Sequence, residues 1–142
     1  MLNTLDANGQ ISSRPMTLQD VEFDGDIWFF ASKSAAFINH IENNSEVNLT
    51  FANPKDMSFL SASGNATVIN DEGKKRELWQ PFYKAWFPEG LEDRDLRLLK
   101  INIQNAEYWE SPGKKIVRLI GFAKAAITGK PGDLAGKHGH LN

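Results

Sequence analysis

Asp24-Gly25-Asp26-Ile27-Trp28-Phe29-Phe30-Ala31-Ser32-Lys33-Ser34 is the stretch on which the fold turns. Four apolar residues in succession, Ile27 to Phe30, make a strand with neither face in water. One face belongs to the core. The other has to be covered by a helix, a partner subunit or a ligand, and core plus subunit interface is favoured over ligand. Asp24-Gly25 before the run is a turn signal. Ser32-Lys33-Ser34 after it opens a helix, with Ser32 or Ser34 as the cap of its first amides.

Strand and turn signals continue in both directions. Leu2 to Asp6 reads as a strand, Asn8-Gly9 as a hairpin turn and Gln10 to Leu18 as the return strand. Val21 to Phe23 pairs with Ile27 to Ala31 across Asp24-Gly25, so the first four strands form an antiparallel meander. The helix runs to about Asn43 on the stripe Phe37, Ile38 and Ile41. Glu46 to Ala52 alternates as a half-buried strand. Met57 to Asn70 is a long strand with Gly64 at a bulge or close backbone approach. Asp71 caps a helix through Trp79, and Pro81 restarts or kinks it. Leu98 to Gln104 alternates again and leads into Tyr108-Trp109. Lys114 to Thr128 carries apolar residues at helical spacing, with Gly129 as its stop.

The outcome is a mainly β chain with helical inserts, six or so antiparallel strands plus three helices. A closed or partly closed barrel removes the exposed edges of that many strands. Residues 1–130 read as a single barrel domain and 131–142 as a Gly-rich mobile tail.

The chain of 142 residues is sized for one domain with a real core. Its net charge of −2 excludes a strongly basic nucleic-acid footprint, and no polybasic run points to a membrane. No stretch has membrane-spanning length or the character of a signal-peptide core. Cysteine is absent, which excludes disulfides, thiolate metal sites and cysteine nucleophiles and fits a cytoplasmic location. Four Trp and nine Phe are many for this length; a flat ligand or an apolar interface would each use them.

Arg14 is the leading binding candidate. It sits in Ser12-Ser13-Arg14-Pro15-Met16, and its planar fork suits a phosphate. The amides, hydroxyls and ammonium of Ser32-Lys33-Ser34 offer a second anion site. If the strands are neighbours in the meander, the two converge on one anion. A surface arginine and an ordinary helix cap are the plain alternative, at even odds. Trp79, Phe82, Tyr83, Trp86 and Phe87 read first as packing against the barrel and second as a subunit interface. Tyr108-Trp109 either stacks on a flat ring or seals the barrel end. His138-Gly139-His140 resembles a weak metal pair, but it sits in a Gly-rich tail with no acidic residue beside it and reads as ordinary tail. With no Ser-His-Asp grouping, paired-carboxylate motif or Walker-type loop, any catalysis has to be carried by a cofactor.

Taken in order, Thr4-Leu5-Asp6, Asn8-Gly9-Gln10, Ser13-Arg14-Pro15-Met16, Gly25 to Phe30, Val47 to Phe51, Ser63-Gly64-Asn65-Ala66, Glu77-Leu78-Trp79, Trp86 to Gly90 and Ala106 to Trp109 resemble one family. It is the general stress protein branch of the pyridoxamine 5′-phosphate oxidase-like flavin-binding proteins. The resemblance covers nearly the whole chain; each motif is weak alone and their order is specific. It implies an antiparallel split β-barrel (the FMN-binding split barrel) that forms a homodimer, with an FMN in each of two clefts between subunits; FAD is the lesser expectation. Arg14, with Pro15 and Met16, would hold the flavin phosphate. Phe29, Phe30 and Ala31 would border the ring, and Ser32 and Lys33 would reach the phosphate or ribityl chain. Trp79 and Trp109 would come from the second subunit.

The implied activity is that of a stress-related flavin oxidoreductase. The alternatives are a non-catalytic flavin-binding or storage module and a binder of another flat anionic cofactor, a deazaflavin or haem. The chain departs from the family in two places. Relatives carry a phosphate-binding Lys early in the helix, where this chain reads Ser34-Ala35-Ala36-Phe37. One missing charge-assisted contact is worth about 1.5–3 kcal/mol. Relatives also carry a helix before the first strand, where this sequence opens at Met1-Leu2.

Overall fold

The computed structural model describes residues 1–19, 21, 23–109 and 139–141. Among the described residues seven strands form one antiparallel sheet. They are β1 (Leu2–Leu5), β2 (Ile11–Arg14), β3 (Asp26–Ser32), β4 (Glu46–Asn53), β5 (Ser58–Ile69), β6 (Leu96–Trp109) and β7 (Gly139–Leu141). The helices are α1 (Ala36–Asn43) and α2 (Glu72–Leu78), with 3-10 turns at Pro81–Ala85 and Gly90–Glu92. The sheet order is β2-β1-β4-β5-β6-β3, with β7 added to β6. It curls into a half-barrel, the split-barrel architecture. The expected helix Lys114–Thr128 and the boundary at 130/131 lie outside the described residues.

The first hairpin forms as its turn chemistry requires. Asp6 accepts from the backbone N–H groups of Asn8 and Gln10, and Gly9 takes a φ of 76°. These bonds hold the Asp6 carboxyl below the ordinary carboxylate range, the Gln10 amide first among them. β4, β5 and β6 follow their alternation: Val47 and Leu49, Leu60 and Ala62, Leu99 and Ile101 all face inward and are buried.

Gly64 sits where the β5–β6 register shifts. A Cβ there would lie 2.1 Å from the Asn102 carbonyl oxygen, so the close approach admits only glycine. Asp71 caps α2 by accepting from the Lys74 amide at 2.9 Å.

The meander is corrected at its second half. β3 pairs with β6 from Asp26↔Asn102 to Ser32↔Leu96 and does not follow β2 in the sheet. β2 stops at Arg14 rather than running to Leu18, because Pro15 has no N–H to give to a ladder. Residues 21 and 23 lie outside any strand, although Gly25 takes the left-handed φ of 107° that its turn needs.

The expectation that Ile27 to Phe30 is wet on neither face holds in the structure. Phe29 points into the barrel core with Leu2, Leu49 and Leu99. Phe30 points the other way into a second cluster with Leu78, Tyr83, Phe87 and Leu98. The covering element is therefore the segment from α2 through the 3-10 turns. Its inner residues pack as the plainer reading expects, with Tyr83 only 4% exposed, while Phe82 at 50% and Trp86 at 63% face outward.

Candidate functional site

The two ends of the sheet, β2 and β3, do not pair with one another, and the seam between them holds a cavity of about 300 Å³. Pro15, Met16 and Thr17 wall it on one side and Phe30, Ala31 and Ser32 on another. Ala35 and Phe37 from the start of α1 and Tyr83, Trp86 and Phe87 from the aromatic turn close it. Its volume is at the lower end of ligand pockets, which run from about 300 to 1,000 Å³. Strands that are not neighbours in the sheet thus still converge, because the curl brings its ends together.

Arg14 begins on the inner face, opposite the fully buried Leu2. Its Nη2 donates to Thr4 Oγ1 at 2.9 Å, Ser12 Oγ at 2.6 Å and the Ser12 carbonyl at 3.2 Å. The guanidinium lies over the Phe37 ring, 4.6 Å from its centroid, and Phe37 lines the cavity. Nη1 is buried and has no hydrogen-bond partner among the described residues. Among the described residues no carboxylate forms an ion pair with this side chain. Burial pulls the guanidinium pKa below its ordinary value. A buried cation with a donor left over is costly by itself and is relieved by an anion that brings an acceptor.

The helix start is corrected. α1 begins at Ala36, and its N-cap, Ala35, makes no side-chain cap bond. Ser32 Oγ and Ser34 Oγ both donate instead to Asp95 Oδ2, and the Ser34 amide donates to Asp95 Oδ1 at 2.9 Å. The Lys33 amide donates to the Asp95 carbonyl at 2.7 Å, while the Lys33 side chain is exposed. These bonds, led by that from Ser32, hold the Asp95 carboxyl below the ordinary range, with Arg97 adding a smaller electrostatic effect. The hydroxyls expected to meet a ligand anion are engaged by a carboxylate from the entrance of β6.

Of the other candidates, Phe29 lies in the barrel core rather than on the cavity wall. Trp79 stands one layer back, edge-on to Phe30 with ring centroids 5.6 Å apart. Trp109 lies at the far end of β6, across from Phe59, in a different concavity shared with Met1 and Phe51.

Three residues of the site are not apparent from sequence. Phe37 reads there only as core. Asp95 has no local motif. Gln19 is buried and donates through Nε2 to the Tyr83 hydroxyl, tying the 15–19 segment to the aromatic turn. Burial raises the Tyr83 pKa, and the bond from Gln19 offsets part of that rise. Among the described residues no group of three or more metal-ligating side chains gathers, and no helix is long and apolar enough to cross a membrane.

The curled sheet with an open seam is a split barrel. The chain matches the family "Pyridoxamine 5'-phosphate oxidase like" over residues 1–133 and belongs to that family. Protein bli-3 of Neurospora crassa is 27% identical over 141 residues, covering 92% of this chain and 68% of its own. Among solved structures, the general stress FMN/FAD binding protein from Xanthomonas citri is 30% identical. The match covers 84% of each chain at a TM-score of 0.67. General Stress Protein 26 from Bacillus anthracis is 25% identical, over 83% of this chain and 86% of its own, also at 0.67.

Proposed function

We propose that this chain binds a flavin mononucleotide at the seam, with FAD the lesser alternative, and does so as a homodimer. The observation that carries the reading is the buried Nη1 of Arg14, which has no hydrogen-bond partner among the described residues and belongs to a guanidinium stacked on Phe37 of the cavity wall. A phosphate oxygen supplies the missing acceptor and the compensating charge together. Phe30, Ala31 and Met16 offer an apolar wall to a flat ring system. The Xanthomonas citri relative named as an FMN/FAD binding protein supports the same ligand class.

A flavin supplies reversible hydride acceptance when bound. The chain's part is to hold the phosphate at Arg14, to keep water from the Phe30–Tyr83 side, and to orient the ligand against the β3 backbone. The exposed Trp86 of the cavity wall and the exposed Phe82 beside it suit a second protomer that deepens the cleft. Trp79 and Trp109 would then act toward the partner's cleft. In this reading the protein is a stress-linked flavin oxidoreductase.

The second reading is a flavin-binding module without turnover. It is favoured by the scarcity of phosphate donors: Ala36 stands in the early helix, and Ser32 and Ser34 are bound to Asp95. Titration with FMN, followed by flavin fluorescence, tests binding. Anaerobic addition of NADH or NADPH then separates the readings. Bleaching of the flavin absorbance supports the oxidoreductase, and a flavin that stays oxidised supports the module. Failure to bind any flavin overturns both.

A further inference from the structure

Asp95 is placed by its own turn, where its amide donates to Asp93 Oδ1 at 2.9 Å, and by the Ser32↔Leu96 register that brings β6 alongside the end of β3. Its two carboxylate oxygens take the Ser32 hydroxyl, the Ser34 hydroxyl and the Ser34 amide. A serine hydroxyl has a single hydrogen to give and keeps its lone pairs. Once that hydrogen is committed to a carboxylate, the oxygen meets anything else only as an acceptor. Ser32 lines the cavity, so this restriction applies to the wall that faces a ligand.

The carboxylate also brings a negative charge beside the same wall. Among the described residues Arg97 forms no ion pair with it; Arg97 Nη1 donates to the carbonyls of Arg94 and Leu96, and its effect on Asp95 is the smaller electrostatic one. At Ser32 a ligand anion therefore meets an acceptor and a like charge, whereas a ligand hydroxyl or imide N–H meets a good partner. At Arg14 the opposite holds.

We propose that Asp95 is the positioning residue that sets ligand polarity along the cleft: through Ser32 it selects a hydrogen-bond donor on the ligand, and it leaves the ligand's anionic end to Arg14. The proposal rests on the flavin reading and deepens it. The part of the ligand at Ser32 would be a hydroxyl-bearing chain or an imide edge, and the phosphate would gain nothing from the two serines.

The test compares FMN with riboflavin, which differ only in the phosphate, by fluorescence titration of the wild type and Asp95→Ala. Freed serine hydroxyls can donate, and the like charge is gone. The ratio of FMN to riboflavin affinity is expected to rise about tenfold in the variant. The rise should vanish when Asp95→Ala is made in a Ser32→Ala, Ser34→Ala background, a coupling that a general loosening of the fold would not produce. If Asp95→Ala does not fold, Asp95→Asn keeps the volume and carries the same expected direction. A flavin-binding protein whose ratio is unchanged overturns the proposal.

Should the wild type bind neither flavin, the flavin reading falls, and inorganic phosphate followed by the Ser32 and Ser34 amide resonances decides the inference alone. A response in the variant and not in the wild type supports it. Silence in both, or an equal response, overturns it.

Discussion

The Arg14 guanidinium lies 4.6 Å from the centroid of the Phe37 ring, and the same ring forms part of the cavity wall. One aromatic side chain thus links the strand end that supplies the charge to the helix start that borders the cleft. Stacking leaves the guanidinium edge free for hydrogen bonds, and among the described residues Nη2 uses it while Nη1 does not.

The first prediction is a split between stability and binding. Arg14→Met removes a desolvated charge and an unpartnered donor, so the urea midpoint is expected to stay the same or rise. FMN affinity is expected to fall by at least about tenfold, the lower end for a lost charge-assisted bond. A variant that unfolds at lower urea but keeps its flavin affinity would contradict both halves.

Tyr83→Phe tests the tie between the 15–19 segment and the aromatic turn. The ring still packs on Phe30, but the buried Gln19 amide loses its acceptor. The cost expected is about 1–3 kcal/mol in chemical denaturation, and Gln19→Leu in the same background should recover part of it. Equal stability of all three proteins would show that the tie is not made in solution.

Gly64→Ala is expected to be among the most damaging single-methyl changes. Its Cβ would meet a backbone oxygen at 2.1 Å in a paired strand, which no side-chain rotation relieves. A loss of about 3 kcal/mol or more, or failure to accumulate as soluble protein, is the outcome expected. An unchanged denaturation midpoint would mean that the β5–β6 register differs from the one described.

The pH dependence of Asp95 has a definite sign. Its folded pKa lies below the ordinary 3.8, so its contribution is fully present above that value and is lost as pH falls through the depressed folded one. Wild type should therefore exceed Asp95→Asn in urea midpoint at neutral pH, and the two should converge in acid. Parallel curves down to about pH 3 would rule out the hydrogen-bonded carboxylate.

What the sequence carries well is local chemistry. Alternation places β4 and the apolar half of β6, Asn8-Gly9 declares the first turn, and Asp71 declares its helix. Gly64 is legible because a glycine inside a strand pattern marks a bulge or a tight backbone contact. Arg14-Pro15-Met16 and Phe30-Ala31-Ser32 stand out in the sequence as binding candidates; Pro15, Met16, Phe30, Ala31 and Ser32 line one cavity, and Arg14 stacks on Phe37 of its wall.

What it does not carry is pairing at a distance. Asp24-Gly25 looks like a hairpin turn from its neighbours alone, but the partner of β3 is β6, whose claim rests on burying Phe29 and Phe30 on opposite faces. Asp95 is hidden for the same reason. Nothing near it in sequence speaks of Ser32, and only the register of two remote strands brings them together. A weak signal is present: Asp93-Arg94-Asp95 stands directly before a buried apolar run, where a carboxylate often caps the neighbouring turn.

The pairing of β3 with β6 also bears on synthesis. Asp26 and its partner Asn102 are 76 positions apart, and among the described residues β3 has no other strand beside it. A chain emerging from the ribosome therefore shows Ile27-Trp28-Phe29-Phe30 to its surroundings unpaired until most of the polypeptide has been made. Holdase chaperones favour such a segment, and a translational stall before residue 96 would leave it as the sticky end of the nascent protein.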